Sequence, residues 1–86
     1  MNNLRMQQKL TNCECIDVAS IGQLVEDGDM GCVYKLKEYI DGKDYCIKES
    51  ETWIWSIGKH KVTGEIFASI DTRYYQNPDY ECLWLR

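Results

Sequence analysis

Five cysteines and one histidine are the residues of this chain best suited to chemistry, and their spacing limits what they can do. Cys13-Glu14-Cys15 is a C-x-C pair, while Cys32, Cys46 and Cys82 stand singly. A structural zinc site takes four ligands, usually as two close pairs whose spacing lets both sulfurs of each reach one ion. No second close pair is present, so Cys13 and Cys15 are weak metal candidates and no resident metal or cofactor is expected. An odd number of cysteines, with no secretion signal ahead of them, reads as free thiols in a reducing compartment. Cys32, Cys46 and Cys82 lie in apolar, strand-like runs, where a thiol packs as a small hydrophobe.

His60 sits between Lys59 and Lys61. Nucleophilic catalysis needs a base within reach of the nucleophile and a third group to orient it, and two flanking cations orient no imidazole. The chain has no Gly-x-Ser-x-Gly elbow and no evident acid–base pair. Gly28-Asp29-Met30-Gly31 has the spacing of a phosphate-cradling turn, but Glu26 and Asp27 beside it repel phosphate. A chain of 86 residues also has little room for a deep pocket. The expectation is a protein that is not an enzyme.

What remains is recognition. Lys59, His60, Lys61, Arg73, Tyr74 and Tyr75 combine cations with aromatic rings, the types enriched at interface hot spots. Both groups fall between expected strands, which would present them on loops to another protein. Glu26, Asp27 and Asp29 form an acidic counterpart on a separate loop. The plainer reading has Tyr74 and Tyr75 covering a sheet edge. An edge left open would also permit a homodimer by strand pairing. The same loops, with Trp53 and Trp55, define the alternative of a nucleic-acid-binding β-domain. A net charge of −4 opposes it, because phosphate contacts need clustered cations. Trp53 and Trp55 would share one strand face and so read as core.

The elements that must carry these residues follow from composition and patterning. At 44% hydrophobic and 28% charged, the chain is globular rather than disordered. Residues 1–50 carry six Lys/Arg against nine Asp/Glu, and residues 51–86 carry four against five, so neither half is a basic platform. Residues 1–12 are polar and read as an arm or a frayed helix. Met1 to Leu10 lacks the apolar core of a secretion signal, and no stretch approaches the ~20 apolar residues of a membrane span. A cytoplasmic location is the resulting expectation.

Ile16 to Val25 reads as a short helix or irregular lead-in, with Ser20 as N-cap and Gln23 completing a capping box. Residues 32–40 read as a strand turning through Asp41-Gly42 into a second strand at 44–48, a hairpin. Alternation in Thr52 to Ile57 puts Trp53, Trp55 and Ile57 on one face, with Ile54 and Ser56 on the other. Gly58 to Gly64 is a polar connection, and Glu65 to Ile70 the next strand. Asn77-Pro78-Asp79-Tyr80 fits a type I turn. Tyr80 to Leu85 is the last strand, its Leu83-Trp84-Leu85 run too apolar to leave in water. These segments predict one small α+β, mostly β domain over residues 1–86. It has an antiparallel sheet of about five strands, ending in a β-meander, beside a short N-terminal helical or irregular segment.

Trp55-Ser56-Ile57-Gly58, Phe67-Ala68-Ser69, Tyr74-Tyr75-Gln76-Asn77-Pro78 and Cys82-Leu83-Trp84-Leu85-Arg86 together resemble compact modules of small bacterial, plasmid or phage proteins. The resemblance covers residues 53–86 and brings no catalytic residue with it. The function it leaves is a small non-catalytic protein–protein interaction domain, a regulator or inhibitor. A structural metal-binding module built on Cys13 and Cys15 is a further alternative.

Overall fold

The computed structural model describes residues 15–28 and 31–86. The arm expected over residues 1–12, and Cys13 with it, lie outside the described residues. The architecture is α+β and mostly strand, as expected, and is built from two sheets.

Strand β1 (Ile16–Asp17) leads directly into helix α1 (Val18–Ile21). Asp17, not Ser20, is the N-cap: its Oδ1 accepts from Ala19 N at 3.2 Å and from Lys48 N at 3.3 Å. Ser20 instead lies inside the single turn and donates to the Asp17 carbonyl at 2.7 Å. The helix stops at Gly22, where the backbone becomes extended, and the residues expected to continue it form strand β2 (Gly22–Gly28). Ile21, Leu24 and Val25 have helical spacing. Cross-strand pairing with β3 (Gly31–Leu36) prevails over that weak local preference.

Strand β3 does not return as a hairpin through Asp41-Gly42. The following strand, β4 (Tyr45–Ile47), belongs to the other sheet. It pairs in parallel with β1 and antiparallel with β5 (Thr52–Trp53). All three β4 residues are buried. Tyr45 would be half-exposed on a surface hairpin; as the middle of three strands it fills the interior.

The chain then changes sheets. Ile54 donates its N–H to the Tyr45 carbonyl in the small sheet, and Trp55 donates to the Ser69 carbonyl in the large one. Strand β6 (Ser56–His60) follows, with β7 (Ile66–Ser69) and β8 (Tyr80–Leu85). This switch breaks the alternation expected over Thr52 to Ile57. Ile54 and Ile57 are both fully buried, while Trp55 is 43% exposed. Trp53 is half-buried, with the Arg86 guanidinium 3.9 Å from the centre of its ring. Neither tryptophan belongs to the main core, contrary to the expectation from alternation.

The large sheet is antiparallel, in the order β2-β3-β7-β6-β8. Within the C-terminal trio β6 is the middle strand, so β8 crosses past it and pairs on its far side, giving an order other than that of a simple meander. The residues between β7 and β8 are long enough to make this crossing, and they become the lid of the outer face described below. The inner face presents Leu36, Ala68, Ile57 and Trp84 to Val18 of α1 and to Tyr45 and Ile47 of the small sheet.

Cys15 and Cys46 are joined in a disulfide, correcting the expectation of uniformly reduced thiols. The parallel β1–β4 register sets Asp17 opposite Cys46 and brings the two Cα atoms to 6.1 Å, inside the bridging range. Cys15 is therefore not a metal ligand here, and no group of three or more metal-ligating side chains occurs among the described residues. The bridge spans 31 residues, and closing a loop of that length stabilises by roughly 3–4 kcal/mol through the unfolded chain. Cys32 and Cys82 are free, as expected. Among the described residues no helix is long and apolar enough to cross a membrane.

Candidate recognition groove

The outer face of the large sheet is set by register. Val33 opposes Ser69, which opposes Ser56; Lys35 opposes Phe67, which opposes Gly58. Cross-strand partners share a face, so small residues at 56, 58 and 69 leave a trough flanked by larger ones. The segment between β7 and β8 lies in that trough.

Two buried serines hold it there. Ser56 Oγ donates to the Asp71 carbonyl at 2.6 Å and accepts from Tyr74 N at 3.3 Å. Ser69 Oγ donates to Asp71 Oδ1 at 2.7 Å and accepts from Asp71 N at 3.1 Å. The Asp71 carboxylate grips Arg73 in bidentate fashion, Nε to Oδ1 and Nη2 to Oδ2, each at 3.0 Å. Arg73 Nη1 reaches across to Glu26 Oε1 of β2 at 2.7 Å. The loop is thus tied to both the sheet floor and the sheet edge.

Tyr74 is the keystone of the loop and is buried, not a free contact residue as expected. A Cβ at Gly58 would lie 2.8 Å from Tyr74 Cβ, so only glycine at position 58 lets the ring settle on the strand. Burial pushes the Tyr74 phenol up to about 12. Its ring meets Tyr80 at 4.7 Å and Phe67 at 6.4 Å between centroids. Gly58→Ala is expected to cost about 1–3 kcal/mol by overpacking, with loss of the near-ultraviolet tyrosine signal. An unchanged melting temperature and signal would show that Tyr74 is not seated there.

The Arg73 guanidinium beside Asp71 holds that carboxyl at about 2, below the ordinary 3.8. A depressed carboxylate stabilises the fold fully above its unfolded value and loses that contribution as pH falls through the folded value. Stability should therefore decline between pH 3.8 and about 2. The Asp71 side chain is 41% exposed and solvent-screened, so the loss is about 1 kcal/mol. Urea titrations across that window check this: Asp71→Asn should flatten the acid limb, and an unaltered limb would contradict it.

The six residues expected to form the contact loops have different fates. Lys59 and His60 belong to β6 rather than to a loop, while Lys61 begins the turn that follows. The His60 ring is oriented after all: Nδ1 accepts from Val62 N and Thr63 N at 3.2 Å each, and the ring lies edge-on to Tyr80 at 5.0 Å. Lys59 and Lys61 are exposed. Arg73 is engaged by two carboxylates, Tyr74 is core, and Tyr75 is 53% exposed. Tyr80 links the two groups, touching both His60 and Tyr74. Asn77 initiates the expected turn, its carbonyl accepting from Tyr80 N at 3.1 Å.

Between this loop and β2 lies a groove of about 380 Å³. Its floor is Val33, Phe67 and Tyr80, and its walls are Val25 and Glu26 on one side and Arg73 and Asn77 on the other. Phe67 and Tyr80 carry no signal of a site in the sequence. The one usable signal was the acidic run from Glu26, which the fold carries on a strand and sets against Arg73. Asp29 of that run lies outside the described residues.

Comparison with family models, curated proteins and solved structures finds no match to this chain.

Proposed function

We propose that the protein is a small non-catalytic recognition domain that binds another protein, acting as a regulator or inhibitor. The observation that carries this reading is the groove: an aromatic floor with polar walls, opening directly onto an exposed sheet edge. Several polar groups on this face are committed to the frame. Ser56 and Ser69 hold the loop, Arg73 bridges Asp71 and Glu26, and His60 Nδ1 organises its own turn. Aromatic surface beside satisfied polar groups is the composition of a recognition patch. Tyr75, Lys59 and Lys61 are exposed elsewhere on the surface and free to make further contacts.

The test is affinity purification of the tagged full chain from its source cells, with nuclease treatment and identification of the co-purifying protein. A saturable complex re-formed from the two purified proteins is the expected result. Salt-dependent binding of single-stranded DNA or RNA, with no protein complex, would replace this reading with the nucleic-acid one.

A further inference from the structure

We propose that the groove is an anchor pocket for a tyrosine side chain of the partner protein, whose phenol oxygen accepts from Tyr74 and Asn77. This rests on the recognition reading above and names the residue by which the partner is held. Tyr74 is 6% exposed and lines the groove. Its ring is packed on Gly58 and its backbone N–H is taken by Ser56 Oγ. Its hydroxyl has no hydrogen-bond partner among the described residues. Among those residues no fully buried side-chain nitrogen or oxygen lacks a partner, so this hydroxyl is not sealed in. It opens where Tyr80, Arg73 and Glu26 act on it, and all three line the groove.

Two donors there are in need of an acceptor. Burial, with the Tyr80 phenol beside it, pushes Tyr74 up to about 12, so its hydroxyl keeps its proton at neutral pH. Asn77 also lines the groove. Its Oδ1 accepts from Asp79 N at 2.9 Å, and its Nδ2 donors have no acceptor among the described residues. An anchor lacking an acceptor would strip water from both groups and leave them unsatisfied.

The rest of the groove selects an uncharged ring. Phe67, Tyr74 and Tyr80 already pack on one another with centroids 4.7 to 6.4 Å apart, the spacing at which a further ring is favoured. A volume of about 380 Å³ is near the lower end for ligand sites and suits one side chain rather than a long segment. An anionic acceptor is disfavoured, because Asp71 and Glu26 already hold Arg73. It would bring a third negative charge to that one guanidinium. Phenylalanine offers the ring without the acceptor, and asparagine the acceptor without the ring. Tyrosine joins the two, and is among the residues enriched at interface hot spots.

The test is NMR on the isotope-labelled full chain, which detects the weak binding of a single side chain. The probes are N-acetyltyrosinamide, N-acetylphenylalaninamide, N-acetylleucinamide and the O-phosphorylated form of the first. Saturable shifts should centre on the amides of Phe67, Tyr74 and Tyr80. The tyrosine probe should bind about two- to tenfold more tightly than the phenylalanine probe, the range that one neutral hydrogen bond supplies. The leucine and phosphorylated probes should bind more weakly than the tyrosine probe. Tyr74→Phe keeps the ring on Gly58 and removes only the hydroxyl, so it should erase most of the tyrosine advantage. Its melting temperature confirms that it is folded. Equal binding of the tyrosine and phenylalanine probes by the parent would overturn the need for an acceptor. An undiminished advantage in Tyr74→Phe would overturn the role of that hydroxyl, and tighter binding of the phosphorylated probe would overturn the choice of a neutral group. Dimerisation of the parent that is lost in Tyr75→Ala would make a second copy the occupant, through its exposed Tyr75. Absence of any saturable shift, with a cellular complex intact in Tyr74→Phe, would sink this inference and leave the recognition reading standing. Absence of any cellular complex would sink the reading itself.

Discussion

Deletion of residues 82–86 is expected to abolish cooperative folding. Strand β8 is the last strand of its sheet, yet its contribution extends well beyond one edge. Leu85 and Trp84 pair with Ser56 and Ile57, and Cys82 with Gly58. The Trp84 ring meets Tyr45 edge-on at 5.8 Å, and the Leu83 carbonyl accepts from Tyr39 Oη at 3.1 Å. Arg86 closes the end by donating its N–H to Trp55 and covering Trp53. Leu83 and Trp84 are partly buried against the core, so removing them forfeits part of the roughly 1.5–3 kcal/mol that full burial of each would supply, before the ladder bonds are counted. Total stability for a chain of this length is roughly 4–13 kcal/mol. The loss also leaves Gly58 and Tyr74 without their β8 support, so the outer face would go with the core. Thermal melts by circular dichroism on the truncated chain check this. A sigmoidal, reversible transition from the truncate would refute it.

The second large effect is expected at Tyr45. The residue is fully buried at the centre of the small sheet, stacked on Tyr39 at 5.8 Å and edge-on to Trp84. Its hydroxyl both donates to the Ile40 carbonyl and accepts from Ile40 N, each at 2.7 Å. One phenol thus satisfies the backbone of the loop between the sheets and joins their cores. Tyr45→Ala should destabilise by about 3–5 kcal/mol through cavity formation. Tyr45→Phe keeps the ring but leaves both Ile40 groups without their partner, at about 1–3 kcal/mol. Urea unfolding of the two variants separates ring from hydroxyl. A Tyr45→Phe variant as stable as the parent would show that water replaces the hydroxyl at no cost. A Tyr45→Ala loss below about 1 kcal/mol would remove Tyr45 from the core.

Pattern alone reveals only part of this architecture. The strands at 66–69 and 80–85, and the turn at 77–80, are legible because they need only local information. They combine alternation, β-branched and aromatic residues, and a proline that presets its own φ. The preference of 31–36 for strand over helix is legible for the same reason. Strand β2 is not, because Gly22-Gln23-Leu24-Val25 carries no strong preference and takes its conformation from β3. Neither are the faces of Trp53 and Trp55, since alternation presumes one continuous strand and the chain crosses between sheets at Ile54 and Trp55. The candidate site divides in the same way. Lys59, Lys61 and Tyr75 are exposed as their types suggest, whereas Tyr74 is drawn inward by the absence of a side chain at Gly58, sixteen residues earlier.

By itself, then, the amino-acid sequence determined the class of fold, several of its strands, and the aromatic and charged residue types available for recognition. Tertiary structure alone decided that Cys15 meets Cys46 and that β6 separates β7 from β8. It also decided that Glu26 meets Arg73 across a groove. The physical reason is sequence distance. Local propensity acts over a few residues, whereas each of these pairings spans tens of residues and depends on two sheets agreeing on one register.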